Sequence, residues 1–180
     1  PSPSYRDPDY FAAQVFSGLF GGGMSSRLFQ QIRESRGLCY AIYSMAWGLE
    51  DTGLFAVHAA TGVGQMKELS TVLTKELIGA ATELPDDGEM QRAKAQMKAG
   101  LLMSLESTGG RAEQMARQLL LAGRLISTDE LIGRVDAVTP GAVRDVAARI
   151  LQTARPSVVV VGAGRPSEGL AAEAERLLVG

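Results

Sequence analysis

Histidine and cysteine, the side chains that most often bind zinc or carry nucleophilic catalysis, each occur once in these 180 residues. His58 stands alone in Phe55-Ala56-Val57-His58-Ala59, whereas zinc catalysis usually takes three protein ligands. It reads as a structural or surface histidine, and no Ser-His-Asp or Cys-His set can be built around it. Cys39 alone excludes an internal disulfide, and its alternation partners Ala41, Tyr43 and Met45 predict a buried strand face. No apolar run approaches the ~20 residues that span a bilayer, and no charged-then-apolar leader opens the chain. A net charge of −2 leaves no electrostatic footprint for nucleic acid or an anionic membrane. Within that balance Arg27, Arg33 and Arg36 form a local basic cluster that needs a local reason.

What the chain does have is apolar content, at 46%, enough for the core of one compact domain over 1–180. It opens Pro1-Ser2-Pro3-Ser4-Tyr5, with no opening strand, and is expected to be a fragment of something longer. Asp7-Pro8 makes a helix start for the stripe Phe11, Ala12, Val15, Phe16 and Leu19. The glycines Gly21, Gly22 and Gly23 then free the backbone to turn, Ser25 and Ser26 can accept the first free helical N–H groups, and a helix is predicted to Arg36. Gly37 supplies a left-handed stop. Strands follow on either side of Glu50-Asp51-Thr52-Gly53, a hairpin with a short loop.

Helical spacing returns with Met66, Leu69, Leu73, Leu77 and Ala80. Asp86 and Glu89 stand at capping-box spacing before a long helix with Met90, Ala93, Met97 and Leu101 inward. Gly109-Gly110 interrupts, and Ala112, Met115, Ala116, Leu119 and Leu120 resume an apolar stripe until Gly123. Ser127 with Glu130 and Thr139 with Pro140 start two more helices, the second carrying Val143, Val146, Ala147 and Ile150. Ser157 to Val161 reads as a buried strand and Glu168 to Leu178 as a closing helix. The sum is α+β, two layers, with helices on a mainly antiparallel sheet of three strands that lacks its first.

Two glycine signals point weakly to phosphate. Gly21-Gly22-Gly23 precedes a helix, but neither a preceding strand nor a P-loop lysine accompanies it. Gly162-Ala163-Gly164 follows a valine run, but Ser167 stands where a dinucleotide fingerprint needs glycine. Arg33 and Tyr40 flank the helix-to-strand corner. They read either as a solvated cation and an edge aromatic, or as a guanidinium and a phenol donating to a polarised carbonyl. The residues themselves leave both open.

The stretch from Gly21 to Tyr40 resembles the C-terminal half of the pitrilysin and mitochondrial-processing-peptidase family, in particular its half-size bacterial members. Supporting stretches run from Ala93 to Ser107, from Arg111 to Glu113, from Val135 to Thr139 and from Val158 to Gly162. The resemblance implies one half of a two-half clamshell closing on a peptide. It places zinc in the N-terminal half, on an inverted His-x-x-Glu-His motif, and no metal in this chain. Arg33 and Tyr40 match an Arg and a Tyr, seven positions apart, that reach the substrate near the scissile bond. Gly21, Gly22 and Gly23 fall where a noncatalytic relative carries a longer substrate loop.

On that resemblance the chain is expected to be the substrate-binding domain of a zinc metalloendopeptidase, inactive alone. Its partners would be the N-terminal catalytic half, in the same chain or another subunit, a peptide substrate, and further copies in a homo- or hetero-oligomer. Neither nucleic acid nor membrane is among them. A bacterial cytoplasm is expected ahead of a mitochondrial matrix. The alternative is a noncatalytic scaffold or peptide-binding homologue.

Overall fold

The computed structural model describes residues 1–153, 155–165 and 167–179. Helix α1 (Tyr10–Gly21) follows from its stripe, with Ala12, Val15, Phe16, Leu19 and Phe20 all buried. Fully burying side chains of this size stabilises by about 1.5–3 kcal/mol each, so α1 organises what packs around it. On one side lies an antiparallel hairpin, β1 (Ala41–Gly48) and β2 (Gly53–Ala60), in register from Ala41↔Ala60 to Gly48↔Gly53. Phe16 stacks on Phe55 of β2 at 5.1 Å between ring centroids, and Phe20 lies 5.2 Å from Phe16.

Helices cover the other sides. After the 3₁₀ turn Val63–Gln65 come α2 (Met66–Thr82), α3 (Asp87–Ser104), α4 (Thr108–Ala122), α5 (Thr128–Asp136), α6 (Pro140–Thr153) and α7 (Ser167–Val179). α1 packs against α3, α5 and α6, while α2 packs against α6 and α7. Three of the predicted starts hold, while α1 begins at Tyr10, after Asp9, rather than at Asp7-Pro8. Asp86 and Glu89 form a capping box on α3, Ser127 caps α5, and the Thr139 hydroxyl accepts from Ala142 N at 3.2 Å. The stripes on α2 and α6 are buried as expected. The fold is α+β, helices on an antiparallel sheet.

Three expectations are corrected. The sheet has two strands among the described residues, not three. Residues 157–161 run unpaired, with Val159 and Val161 84% and 91% exposed, because an extended segment becomes a strand only beside a neighbour that takes its N–H and C=O groups. The inward face of β1 is Ile42, Ser44 and Ala46 rather than Ala41, Tyr43 and Met45. The chain bends at Tyr40 before the strand begins, so Cys39 and Ile42 both point inward although their parity differs.

The third correction concerns α4. Ser107 caps it ahead of Gly109-Gly110, so the glycines lie inside its first turn; a Cβ on Gly110 would collide with Ser104 O. Its apolar stripe faces out, with Met115, Leu119 and Leu120 exposed, and the residue it buries is Gln118. The Gln118 amide oxygen accepts from Ile126 N at 2.9 Å, satisfying a backbone donor just beyond the left-handed Gly123. The polar residue goes inward because a buried amide N–H needs it more than the core needs another leucine.

Gly21 shows how closely α1 meets the hairpin. A Cβ there would meet Ser44 N and lie 2.6 Å from Ser44 Oγ, whose hydroxyl donates to Ser17 O at 2.8 Å. Gly21→Ala is therefore expected to destabilise the chain by about 1–3 kcal/mol in urea unfolding. Gly100→Ala is expected to stabilise it by about 0.5–1 kcal/mol, since that Cβ on α3 meets nothing.

Near the start of α5, Arg124 and then Arg134 hold the Glu130 carboxyl down at about 2 from an ordinary 4.5. The folded value lies below the unfolded one, so this clamp contributes fully above about pH 4.5 and is lost as pH falls towards 2. Over that window the thermal midpoint is expected to drop further in the wild type than in Glu130→Gln.

Candidate functional site

The corner between α1 and β1 is built on hydrogen bonds to backbone carbonyls. Gln96 Nε2 donates to Gly22 O at 2.7 Å, Gln30 Nε2 to Met24 O at 2.7 Å, and Ser26 Oγ to Gly23 O at 2.6 Å. None of Gly21, Gly22 and Gly23 adopts positive φ. The run serves close approach, Gly21 to Ser44 and Gly22 to Gly18, rather than free turning. Ser25 and Ser26 make no N-cap bond to the helix that follows; Ser26 instead closes the turn.

Arg27 ties the corner to α3. Its Nε and Nη2 donate to the two oxygens of Glu89 at 2.6 and 2.7 Å, with both side chains about one-sixth exposed. Glu89 raises the affinity of Arg27 for its proton, and the same carboxylate accepts from Asp86 N in the capping box. One anion thus serves a helix cap and a bidentate pair at once.

The predicted helix after the glycines is wound as a π-helix over Phe29–Glu34, with Ser35 N donating to Gln30 O. Such turns are frequent at functional sites. Leu28 and Ile32 are fully buried beneath it. Gly37, at φ 62°, ends it, with Gly37 N donating to Arg33 O and Leu38 N to Ile32 O. The left-handed stop is where glycine spacing put it.

The basic cluster then resolves. Arg27 is held by Glu89, and Arg36 Nη1 donates to Gln31 O and Gln31 Oε1. Arg33 pairs with no carboxylate among the described residues. Its guanidinium carbon lies 4.6 Å from the Phe29 ring centroid and 5.9 Å from that of Tyr40. Its charge also reaches Cys39, lowering a thiol that burial pushes up more strongly. Tyr40 N donates to Ala60 O at 2.8 Å, which fixes its backbone at the end of the hairpin, while its side chain is 83% exposed. The corner therefore brings Arg33 and Tyr40 together, with the Arg33 guanidinium lying on Phe29, a support that residue type and spacing did not single out.

This arrangement offers donors. A guanidinium and a phenol can bind a carbonyl or carboxylate oxygen, and neither holds a cation. Among the described residues no group of three His, Cys, Asp or Glu could hold a metal ion. His58 is stacked on Tyr43 at 4.9 Å. An open cleft of 590 Å³ lies elsewhere, between the N-terminal segment and the α4–α5 corner, lined by Tyr5, Tyr10, Phe11, Arg124 and Arg134 among others. It includes neither Arg33 nor Tyr40.

Residues 1–97 match the family described as the peptidase M16 inactive domain. An uncharacterized zinc protease of Streptomyces coelicolor is 37% identical over 162 residues, 90% of this chain and 35% of that protein. Another, from Bacillus subtilis, is 36% identical over 124 residues, 69% of this chain and 30% of its own. Among solved structures, a conserved protein from Enterococcus faecalis aligns with a TM-score of 0.73 and 28% identity over 82% of this chain and 34% of its own. A peptidase M16 inactive domain from Pseudomonas fluorescens aligns with a TM-score of 0.67 at 24% identity, over 82% of this chain and 35% of its own. The chain spans about a third of the length of the curated relatives it matches.

Removing the Arg27–Glu89 pair tests the build of the corner. Glu89→Ala is expected to cost more in urea unfolding than Arg27→Ala, because it leaves a half-buried guanidinium unpaired and opens the α3 cap, worth about 1 kcal/mol by itself.

Proposed function

The chain belongs to the peptidase M16 family, as the inactive, C-terminal domain of a zinc-protease-like protein, and from that premise we propose that it is the far wall of a peptide-hydrolysing chamber. Arg33 and Tyr40 hold the substrate and stabilise the oxygen of the scissile carbonyl. The observation that carries this reading is the unpaired state of Arg33. A guanidinium placed between two aromatic rings, with both neighbouring arginines engaged elsewhere, keeps its donors for a ligand.

Peptide hydrolysis builds negative charge on the carbonyl oxygen as water attacks. Donors aimed at that oxygen act where the charge develops and lower the barrier. Arg33 supplies a fixed positive charge with two or more N–H groups, and the Tyr40 hydroxyl one further donor. Phe29 carries the Arg33 guanidinium, and the Tyr40 N bond to Ala60 O fixes the backbone on which Tyr40 stands, which limits reorganisation during the reaction.

In this reading residues 1–180 are one metal-free domain. The zinc and the residue that activates water belong to an N-terminal catalytic half, on the same chain or on a partner subunit, in a homo- or hetero-oligomer. Gly21, Gly22 and Gly23, with the exposed Met24 at their tip, border the chamber as its substrate loop. No helix among the described residues is long and apolar enough to cross a membrane. A bacterial cytoplasm suits such an enzyme.

The test is hydrolysis of quenched-fluorescence peptides, with zinc, by the full-length protein. Arg33→Ala and Tyr40→Phe are each expected to lower kcat by about 10²- to 10³-fold without changing thermal stability. Unchanged kcat in both variants would remove the catalytic role. A full-length protein that binds peptides but never cleaves them, with either residue present or absent, would instead be a noncatalytic scaffold.

A further inference from the structure

The cleft between the N-terminal segment and the α4–α5 corner has walls of opposite charge. On the segment side stand Asp7 and Asp9, two carboxylates that share the Arg149 guanidinium. On the corner side stand Arg124 and Arg134, two guanidinium groups around the single carboxylate of Glu130. Within these clusters the first wall keeps a negative charge in excess and the second a positive one. Arg6, on the segment, is offset by Glu50. Aromatic rings lie between the walls. Tyr5 and Tyr10 have centroids 4.9 Å apart, Tyr10 and Phe11 5.3 Å, and the Arg134 guanidinium carbon lies 5.8 Å from the Phe11 centroid.

We infer that this cleft is a second binding site, independent of Arg33 and Tyr40, and that it takes a peptide of two or three residues with both termini free and aromatic side chains. The ligand's ammonium lies at Asp9, its carboxylate at Arg134, and its rings against Tyr10 and Phe11. Charge complementarity carries the inference. A free amino acid holds both its charges on one carbon, whereas two or three extended residues separate them by about 7–11 Å and can reach both walls. A polyanion such as a nucleotide would be repelled by Asp7 and Asp9, and a fatty acid would leave those carboxylates unanswered.

The groups named have capacity left for a ligand. Asp9 precedes α1 but its side chain makes no cap bond to the helix, and it is half-exposed. Arg134 gives Nη2 to Glu130 Oε1 at 2.6 Å, and its remaining N–H groups meet no acceptor among the described residues. Burial and then the neighbouring Tyr5 push the Tyr10 phenol up, against a smaller lowering by Arg117, so its hydroxyl stays protonated and can donate to a peptide carbonyl. The walls are also tied together, since Arg6 Nε donates to Leu121 O at 2.6 Å. A volume of 590 Å³ lies within the range of about 300–1,000 Å³ common for small-ligand sites.

The test is calorimetric titration of the tripeptide Phe-Ala-Phe onto zinc-stripped full-length protein, where no cleavage intervenes, beside its N-acetylated form, its C-terminal amide and free phenylalanine. Each cap is expected to weaken binding to the wild type by about three- to tenfold. Asp9→Asn erases the effect of acetylation and keeps that of the amide, while Arg134→Gln does the reverse. Arg134→Lys, which retains the charge, keeps the amide effect. Free phenylalanine binds more weakly than the tripeptide, and Arg33→Ala changes none of these affinities, so the site stands or falls apart from the catalytic pair. Thermal midpoints check that each variant is folded. No binding at millimolar tripeptide would overturn the inference, as would cap effects that are the same in the wild type, Asp9→Asn and Arg134→Gln. Loss of binding in Arg33→Ala would place the tripeptide in the chamber, and free phenylalanine binding as tightly as the tripeptide would remove the two-wall geometry; either result overturns the inference.

Discussion

Phe16 and Phe20 lie one turn apart on α1, and Phe55 of β2 stacks against the first and tilts against the second. This three-ring contact locks helix to hairpin, and most of the site's geometry follows from it. With the rings in place, the end of α1 meets β1 so closely that only glycine fits at position 21. The chain must then leave α1 sideways, through two more glycines, before it can enter the next helix. The hairpin turns one face towards α1 and the core, and its other face carries the exposed Tyr43, Trp47 and Leu54.

The turn beyond α1 would be loose without Arg27 and Gln96. The Arg27–Glu89 pair and the Gln96 bond to Gly22 hold the corner against α3, so a segment rich in glycine behaves as part of the scaffold. Partly buried, bidentate charge pairs are costly to break from one side, which suits them to holding geometry. Arg33 is one π-helical stretch further along, and its freedom from any carboxylate is meaningful because the backbone around it is so well held. A flexible arginine would find the nearest acid; this one is kept on two rings.

α4 illustrates the limit of periodicity as a guide. Its stripe of Ala112, Met115, Ala116, Leu119 and Leu120 has the spacing of a core face, yet Gln118 is the residue turned inward. Helical spacing identifies a face but carries no information on whether anything stands opposite it. The same holds for Ser157 to Val161, where a valine-rich run has strand composition but no partner strand. Both errors share a cause, since packing partners are long-range facts.

Local chemistry was read from the sequence with little loss. The capping box at Asp86 and Glu89, the caps at Ser127 and Thr139, the left-handed stop at Gly37, the hairpin loop and the buried stripes of α1, α2 and α6 each depend on residues a few positions apart. Interactions of that range are encoded in order and spacing, so the chain alone determined them. Membership in the M16 family was legible for the same reason, in the continuous stretch from Gly21 to Tyr40. The tertiary structure decided everything that needed two distant segments. It set the inward face of β1 through the bend at Tyr40, turned the glycines from a free loop into a tight contact, matched Arg27 with Glu89 and left Arg33 without an acid. It also laid Tyr43 and Trp47 along an open face. Which groups are satisfied and which remain available depends on what folding brings beside them, and no local pattern contains that.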